Sequence, residues 1–430
     1  MSINSVFIFR CRMLLWIALA LPVCASASNL LYLTGYGIES SLMGGADVAV
    51  SRDAFATVNN PAGLAQLESQ VVEIELGPYT NMATTHTDQF GNYRKPFQPA
   101  NGIYGNAAYA KHFANSPFSA GVGLIVQGGL GWTYHGLNTR FGTRDDASSL
   151  FSVLKLAPSV AWKANDQLSL GASLGVNYIG GSQELFPNTS CSACLLGGPF
   201  QGIRFKNASG INLSGKLGLQ YTPYHDVTIG VTYATQTSIP LKNGDLRVNM
   251  SNAGLGIVRY DKARLDGFRL PEELAVGIAF RPTPRLLVSL QDKWYNWSEA
   301  LNKQTITATK PRDSLAPATY VIPASLDAVD QHVIEIGLAY DYDQQTMLYA
   351  GMNHGPRAIP DNNISPIFQA IHAKHIMFGA SHKINEEWTG AGGFEFFYPQ
   401  VVTYDSPIFG NRASEHHYGV VFHMSLARRW

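Results

Sequence analysis

Residues Leu168–Tyr178 read LSLGASLGVNY. Leu168, Leu170, Ala172, Leu174, Val176 and Tyr178 fall on one side of a period-two pattern, with Ser169, Gly171, Ser173, Gly175 and Asn177 on the other. One apolar face and one small or polar face is what a strand shows when one side meets lipid and the other a lumen. The same pattern returns in Ile211–Tyr221, in Val227–Tyr233, and in the final stretch with Tyr418, Val420, Phe422, Met424, Leu426 and Trp430.

Outward from this stretch, strand-like runs recur near 70–79, 103–112, 118–129, 151–163, 168–179, 209–221, 227–236, 273–281, 286–294, 332–341, 346–353, 373–383, 387–398 and 417–430. A soluble sandwich would alternate in the same way, so the gaps must decide. Short, turn-rich gaps (113–117, 164–167, 222–226, 282–285, 342–345, 384–386) alternate with long ones (80–102, 130–150, 180–208, 237–272, 295–331, 354–372, 399–416). Outer-membrane barrels join strands by short periplasmic turns and long extracellular loops. The expected fold is therefore all-β, a 14-stranded antiparallel transmembrane β-barrel. Tyr178, Tyr221, Tyr340 and Tyr398 suit interfacial girdles.

Composition agrees. The chain carries 31 basic and 31 acidic residues and only 14% charged residues, against about 25% in a typical soluble domain. That speaks against a nucleic-acid partner. At the N-terminus, Arg10 and Arg12 precede the apolar run Met13–Val23 and an Ala25-Ser26-Ala27 cleavage site. Residues 1–27 read as a secretory signal peptide. No later stretch reaches the roughly 18 apolar residues a membrane helix needs. Cys11 and Cys24 would leave with the signal peptide. Cys191 and Cys194 would remain, and an oxidising compartment favours a disulfide loop clip over two free thiols.

Between the signal peptide and the first strand lies GGADVAVSRDAFATVNNPAGLA, Gly44–Ala65. Its small residues, with Asn60 before Pro61 enforcing a turn, suggest a compact plug in the lumen. This segment resembles the N-terminal hatch of the FadL/TodX family of outer-membrane transporters, with Asn60, Pro61 and Ala62 standing at the family's Asn-Pro-Ala motif. Leu270-Pro271-Glu272-Glu273-Leu274, Asp292–Ser298 and Gly351-Met352-Asn353 with Ile359-Pro360-Asp361 resemble further family segments. The terminal Trp430 resembles the sorting signal of bacterial barrels, although Arg428 departs from the usual apolar residue.

The resemblance implies a hatch over residues 28–69 and a barrel over 70–430 in the bacterial outer membrane. It implies passive uptake of hydrophobic molecules, either long-chain fatty acids or aromatic hydrocarbons, by a monomer without catalysis or cofactor. In the family, hatch rearrangement is coupled to binding, and ligand leaves sideways at a kink in strand three. Here Gly121, Gly123 and Gly128 could form that kink, or serve as lumen spacers. Lys216, Arg281 and Lys293 fall on lumen faces and are candidate ligand contacts, able to hold a carboxylate by charge-assisted hydrogen bonds. A lumen salt bridge, for example to Glu335 or Glu395, is the alternative for each. Trp132, Tyr134, Leu137 and Phe141 lie in the expected loop 130–150, as a capture site or a loop mini-core.

Other chemistry is thinly represented. Gly171-Ala172-Ser173-Leu174-Gly175 matches G-x-S-x-G but sits inside a strand, not at a strand-to-helix elbow, and a smooth lumen wall is the expected role. The His372/His375 and His416/His417 pairs lack a carboxylate at metal-binding spacing, so no metal is expected. A general diffusion porin and an outer-membrane lipase are the competing functions. The plug-like N-terminus opposes the first, and no Ser/His/Asp set supports the second.

Overall fold

The computed structural model describes residues 29–195, 198–369, 371 and 373–430. The expected signal peptide, residues 1–27, lies outside them. Fourteen antiparallel strands close into one barrel. In chain order they are β1 Gln70–Thr80, β2 Asn101–His112, β3 Phe118–Asn138, β4 Arg144–Lys163, β5 Leu168–Leu195, β6 Gly198–Tyr224 and β7 Val227–Ala234. There follow β8 Glu273–Thr283, β9 Leu286–Tyr295, β10 Gln331–Asp341, β11 Thr346–His354, β12 Lys374–Lys383, β13 Trp388–Ser406 and β14 Gly410–Arg429. Each pairs with its sequence neighbour, and β14 returns to β1 through Val71↔Arg429 and the residues that follow. Closure pairs each strand with both neighbours, with an interruption between the upper parts of β2 and β3.

Alternation sets the two faces as expected. Leu174 is 50% exposed on the outside, while Ser169 and Asn177 are buried on the lumen side. The chain end seals the seam: Trp430 and Gln70 exchange two backbone hydrogen bonds of 3.2 Å. Arg428 is accommodated there because its guanidinium lies over the rings of Trp388 and Trp430 and pairs with Glu387 at 2.9 Å.

The strands run further outward than the sequence pattern indicates. β3 continues to Asn138, β5 to Leu195 and β13 to Ser406, so most of the expected loops 130–150 and 180–208 is strand. Above the apolar band the outer face leaves the hydrocarbon, and the pattern inverts. Phe186, Phe205, Leu246 and Tyr260 point inward and are buried, with Glu184, Arg204 and Arg259 outside. Bulges also flip the phase, at Gly128 in β3 and at Asn207 in β6, which takes a left-handed φ of 62°.

The inward apolar residues of this upper wall form one large core with the extracellular connections. Trp132, Tyr134 and Leu137 are buried in that core, and Phe141 stacks on Phe200 at 4.4 Å between centroids. They belong to β3 and its short following turn rather than to a long loop. Cys191 and Cys194 lie near the tip of the β5–β6 hairpin, with their Cα atoms 5.9 Å apart, inside the range a disulfide spans.

Candidate functional site

Residues 29–69 fill the lumen and are almost wholly buried. They contain a short helix, Ile38–Leu42, and two 3-10 turns, Ala54–Thr57 and Pro61–Gln66. Asn60 caps the second turn, its Oδ1 accepting from the Ala62 N–H at 3.1 Å. Pro61 at the first position supplies the fixed φ that such a start favours. The Asn60 amide donates to the Val48 carbonyl at 2.7 Å and to the Leu219 carbonyl of β6 at 3.1 Å. One side chain thus folds the hatch and attaches it to the wall.

The wall is shaped to receive it. Gly171 and Gly218 are cross-strand partners, and a Cβ on either would collide with Asn60, Pro61 or Ala62. In the Gly171–Gly175 run, Gly171 therefore provides close backbone approach, a more specific task than a smooth surface, while Gly175 abuts Ser214 and Lys155. Further pairs continue around the lumen: Gly230↔Gly277 faces Val48, Gly337↔Gly351 faces Met43 and Gly44, and Gly379↔Gly393 faces Leu42.

Buried polar groups hold the rest. Glu75 accepts from the Gly37 N–H and the Ser41 hydroxyl, both at 3.0 Å, and from Asn106 at 2.8 Å. His423 bridges Glu75 to Glu395 at 3.4 and 2.9 Å, and Glu395 also contacts His375 and accepts from Thr34. His375 is thus buried and paired, unlike a solvated loop-edge histidine; His372 lies outside the described residues. The readable signal was Glu73 and Glu75 alternating with the outward Ile74 and Leu76, which places carboxylates on the lumen side of a membrane strand. Among the described residues no group of three or more potential metal ligands gathers.

Lys216 and Lys293 line one small lumen cavity together, while Arg281 lies apart from them. Lys216 donates to the Val58 carbonyl at 2.9 Å and lies 3.7 Å from Glu273. Lys293 pairs with Glu335 at 3.3 Å. Arg281 pairs with Asp341 at 3.4 Å and lines a periplasmic cavity of about 490 Å³ beneath the hatch. The cation missed by sequence reasoning is Lys155 of β4. It lines two small cavities with Tyr32, Val58, Lys216 and Glu273, and no carboxylate lies within 4 Å of it among the described residues. These cavities measure only about 20 and 30 Å³, near the volume of one water molecule. No hydrophobic ligand fits there without movement of the hatch.

The wall itself is incomplete at one place. Pairing of β2 with β3 runs from His112↔Ser119 to Ala107↔Leu124 and stops, although β2 extends to Asn101 and β3 to Asn138. At the break Val126 N–H donates to the Asn106 side chain at 2.9 Å. Beyond it the hatch occupies the β3 edge: Leu33 N–H donates to the Gln127 carbonyl at 3.2 Å, the Tyr36 hydroxyl donates to the same oxygen at 2.6 Å, and Tyr32 bridges Gly128. Gly128 has φ of 156°, and its Cβ position is taken by Leu31 backbone. Gly121 and Gly123 serve differently, making room for Thr57 and Val58. Around the break Leu33, Tyr79, Tyr104 and Val126 form an apolar cluster.

A family model described as outer membrane protein transport protein (OMPP1/FadL/TodX) matches residues 19–412. The fold is similar to that of the P. putida toluene transporter TodX, at 19% identity over 92% of this chain and 99% of that one, with a TM-score of 0.76. It is also similar to the Ralstonia pickettii toluene transporter TbuX (20% identity, 94% and 100% coverage, TM-score 0.71) and to a Pseudomonas aeruginosa FadL homologue (16%, 95% and 98%, TM-score 0.67). No curated protein matches the sequence.

Proposed function

The chain belongs to the OMPP1/FadL/TodX family of outer membrane transport proteins, and from that premise we propose that it admits small hydrophobic molecules through the wall of its barrel. The carrying observation is the end of β2–β3 pairing at Leu124, with the hatch residues Leu33 and Tyr36 bonded to the exposed β3 edge. An apolar solute gains from leaving water for apolar surroundings. The extracellular apolar core and the cluster of Leu33, Tyr104 and Val126 supply such surroundings near the entry and near the gap. Release between β2 and β3 would then deliver the solute into the bilayer without crossing the polar periplasmic mouth. Shifting Tyr32–Tyr36 would open both the small lumen cavities and the gap. The test is uptake of labelled toluene and of a labelled fatty acid by cells with and without the protein, alongside liposome swelling in sugars. Facilitated uptake without sugar permeability supports the reading; sugar-driven swelling indicates a diffusion porin.

One observation favours a second reading of the substrate. Among the described residues Lys155 makes no salt bridge, and it lines a cavity beside the hatch with Lys216 and Lys293, where a carboxylate at the head of an apolar chain would be held by a charge-assisted bond. Lys155→Met separates the two: it should lower fatty-acid uptake and leave toluene uptake unchanged if the carboxylate is read there.

A further inference from the structure

Above the bilayer, β6 continues into a surface sheet with the extracellular strands Leu241–Asn249, Ile257–Asp266 and Thr305–Pro311. Its inner face is apolar and buried, while its outer face is basic. Arg247 lies directly opposite Arg204 on one side and Arg259 on the other. Like charges directly opposite across strands destabilise a sheet, so three arginines in register call for compensation. Arg204 shares Glu184 with Lys206, at 2.9 and 2.6 Å. Arg259 lies 3.7 Å from Asp245 and 3.2 Å from Asp261. Arg247 itself has no carboxylate within 4 Å among the described residues, nor do the exposed Lys242 and Lys262.

The height of this surface is fixed by the register. Lys242 pairs with Ser209, two residues above Ile211, whose side chain is 70% exposed in the apolar band. At ~3.3 Å per residue, Lys242 stands within about 7 Å of the hydrocarbon edge, and the arginine row stands higher. That is the depth of the phosphorylated headgroups of the outer leaflet. We propose that the outer face of this sheet docks the phosphate groups of lipopolysaccharide, with Lys242, Arg247 and Lys262 supplying the unmatched charge. The occupant follows from charge complementarity and position: the surface faces sideways into the leaflet, and the anions at that level are lipid phosphates. Guanidinium and ammonium groups bind phosphate strongly where water is partly excluded.

The test uses purified full-length barrel in detergent with a chelator present, so that divalent cations do not bridge. Binding of fluorescent lipopolysaccharide is compared with that of the same material after enzymatic dephosphorylation. The variant Lys242→Gln/Arg247→Gln/Lys262→Gln should bind the phosphorylated form about a hundredfold more weakly, since three cations are lost at ~1 kcal/mol each. A variant losing equal charge elsewhere outside, Lys95→Gln/Lys374→Gln/Arg412→Gln, should bind like the parent, and so should the charge-keeping Lys242→Arg/Arg247→Lys/Lys262→Arg. Heat-modifiable gel mobility confirms folding of each. Equal binding of dephosphorylated material, or an equal loss in the control variant, overturns the proposal.

Discussion

The side-chain amide of Asn60 donates to the carbonyl of Leu219 across 3.1 Å, joining the hatch to barrel strand β6. The same amide reaches Val48 at 2.7 Å, and its oxygen caps the turn that begins at Pro61. Loss of this side chain leaves the Val48 carbonyl with only the longer bond from Gln220 at 3.3 Å, frees the hatch from Leu219 and leaves the turn uncapped. Asn60→Ala should loosen the hatch by roughly 1–3 kcal/mol while the barrel, held by its own strand pairing, still forms. Hydrogen exchange should rise over residues 46–66 with heat-modifiable mobility unchanged. Unaltered exchange there would show that the hatch is held by packing alone.

The receiving side of that contact makes a separate prediction. Gly218 and Gly171 leave the space that Asn60, Pro61 and Ala62 occupy. Gly218→Val puts a branched side chain there, so the hatch must move while strand pairing is kept. Limited proteolysis should then cut within residues 44–66 at a rate at least about tenfold above the parent. A protected hatch in this variant would mean that the wall yields instead.

How much of this was legible in the sequence varies with depth in the membrane. Leu168–Tyr178 could be read because lipid outside and a packed lumen inside impose opposite demands on successive residues. Above the bilayer both demands change, and Glu184, Arg204 and Phe205 carry no lipid-facing signal. The bulges near Gly128 and Asn207 then shift the phase, so strand was expected to be loop. Asn60-Pro61-Ala62 could be read as a turn. Its cradle could not, because Gly171 and Gly218 are 47 residues apart in sequence and meet only through the register. The same holds for Glu75, His423 and Glu395, whose pairing depends on barrel closure.

His86 gives a pH dependence. It sits on the extracellular side in the short strand Thr85–Thr87, fully buried, 2.6 Å from Glu415 and 3.0 Å from Asp88. Burial alone would lower its pKa, but Glu415 and Asp88 outweigh burial and hold it raised to about 9. A histidine pKa raised on folding adds stability that is fully present below about 6.5 and is lost as the pH rises through about 9. Glu415 also contacts Gln369 and Tyr404, so this centre ties the 85–96 segment to the β11–β12 connection. Exchange protection of residues 85–96 should fall between pH 6.5 and 9. His86→Gln should remove the pH dependence; its persistence would assign it to another group.

Cys191 and Cys194 should be oxidised after export. Alkylation of denatured, unreduced protein should modify neither thiol, and modification of both would refute the pairing.

Lateral release between β2 and β3 is tested most directly by the initial rate of labelled substrate uptake in two variants of matched expression. Gly128→Val places a branched residue at φ of 156° against Leu31, where such a side chain is strained, and disturbs the gap. Thr228→Trp narrows the periplasmic cavity of about 490 Å³ that Thr228 lines. Lateral release predicts that uptake changes about tenfold in Gly128→Val, with substrate binding to the purified protein retained, and stays at the parental rate in Thr228→Trp. The reverse pattern, normal uptake in Gly128→Val and loss in Thr228→Trp, would contradict it and direct the substrate through the periplasmic mouth.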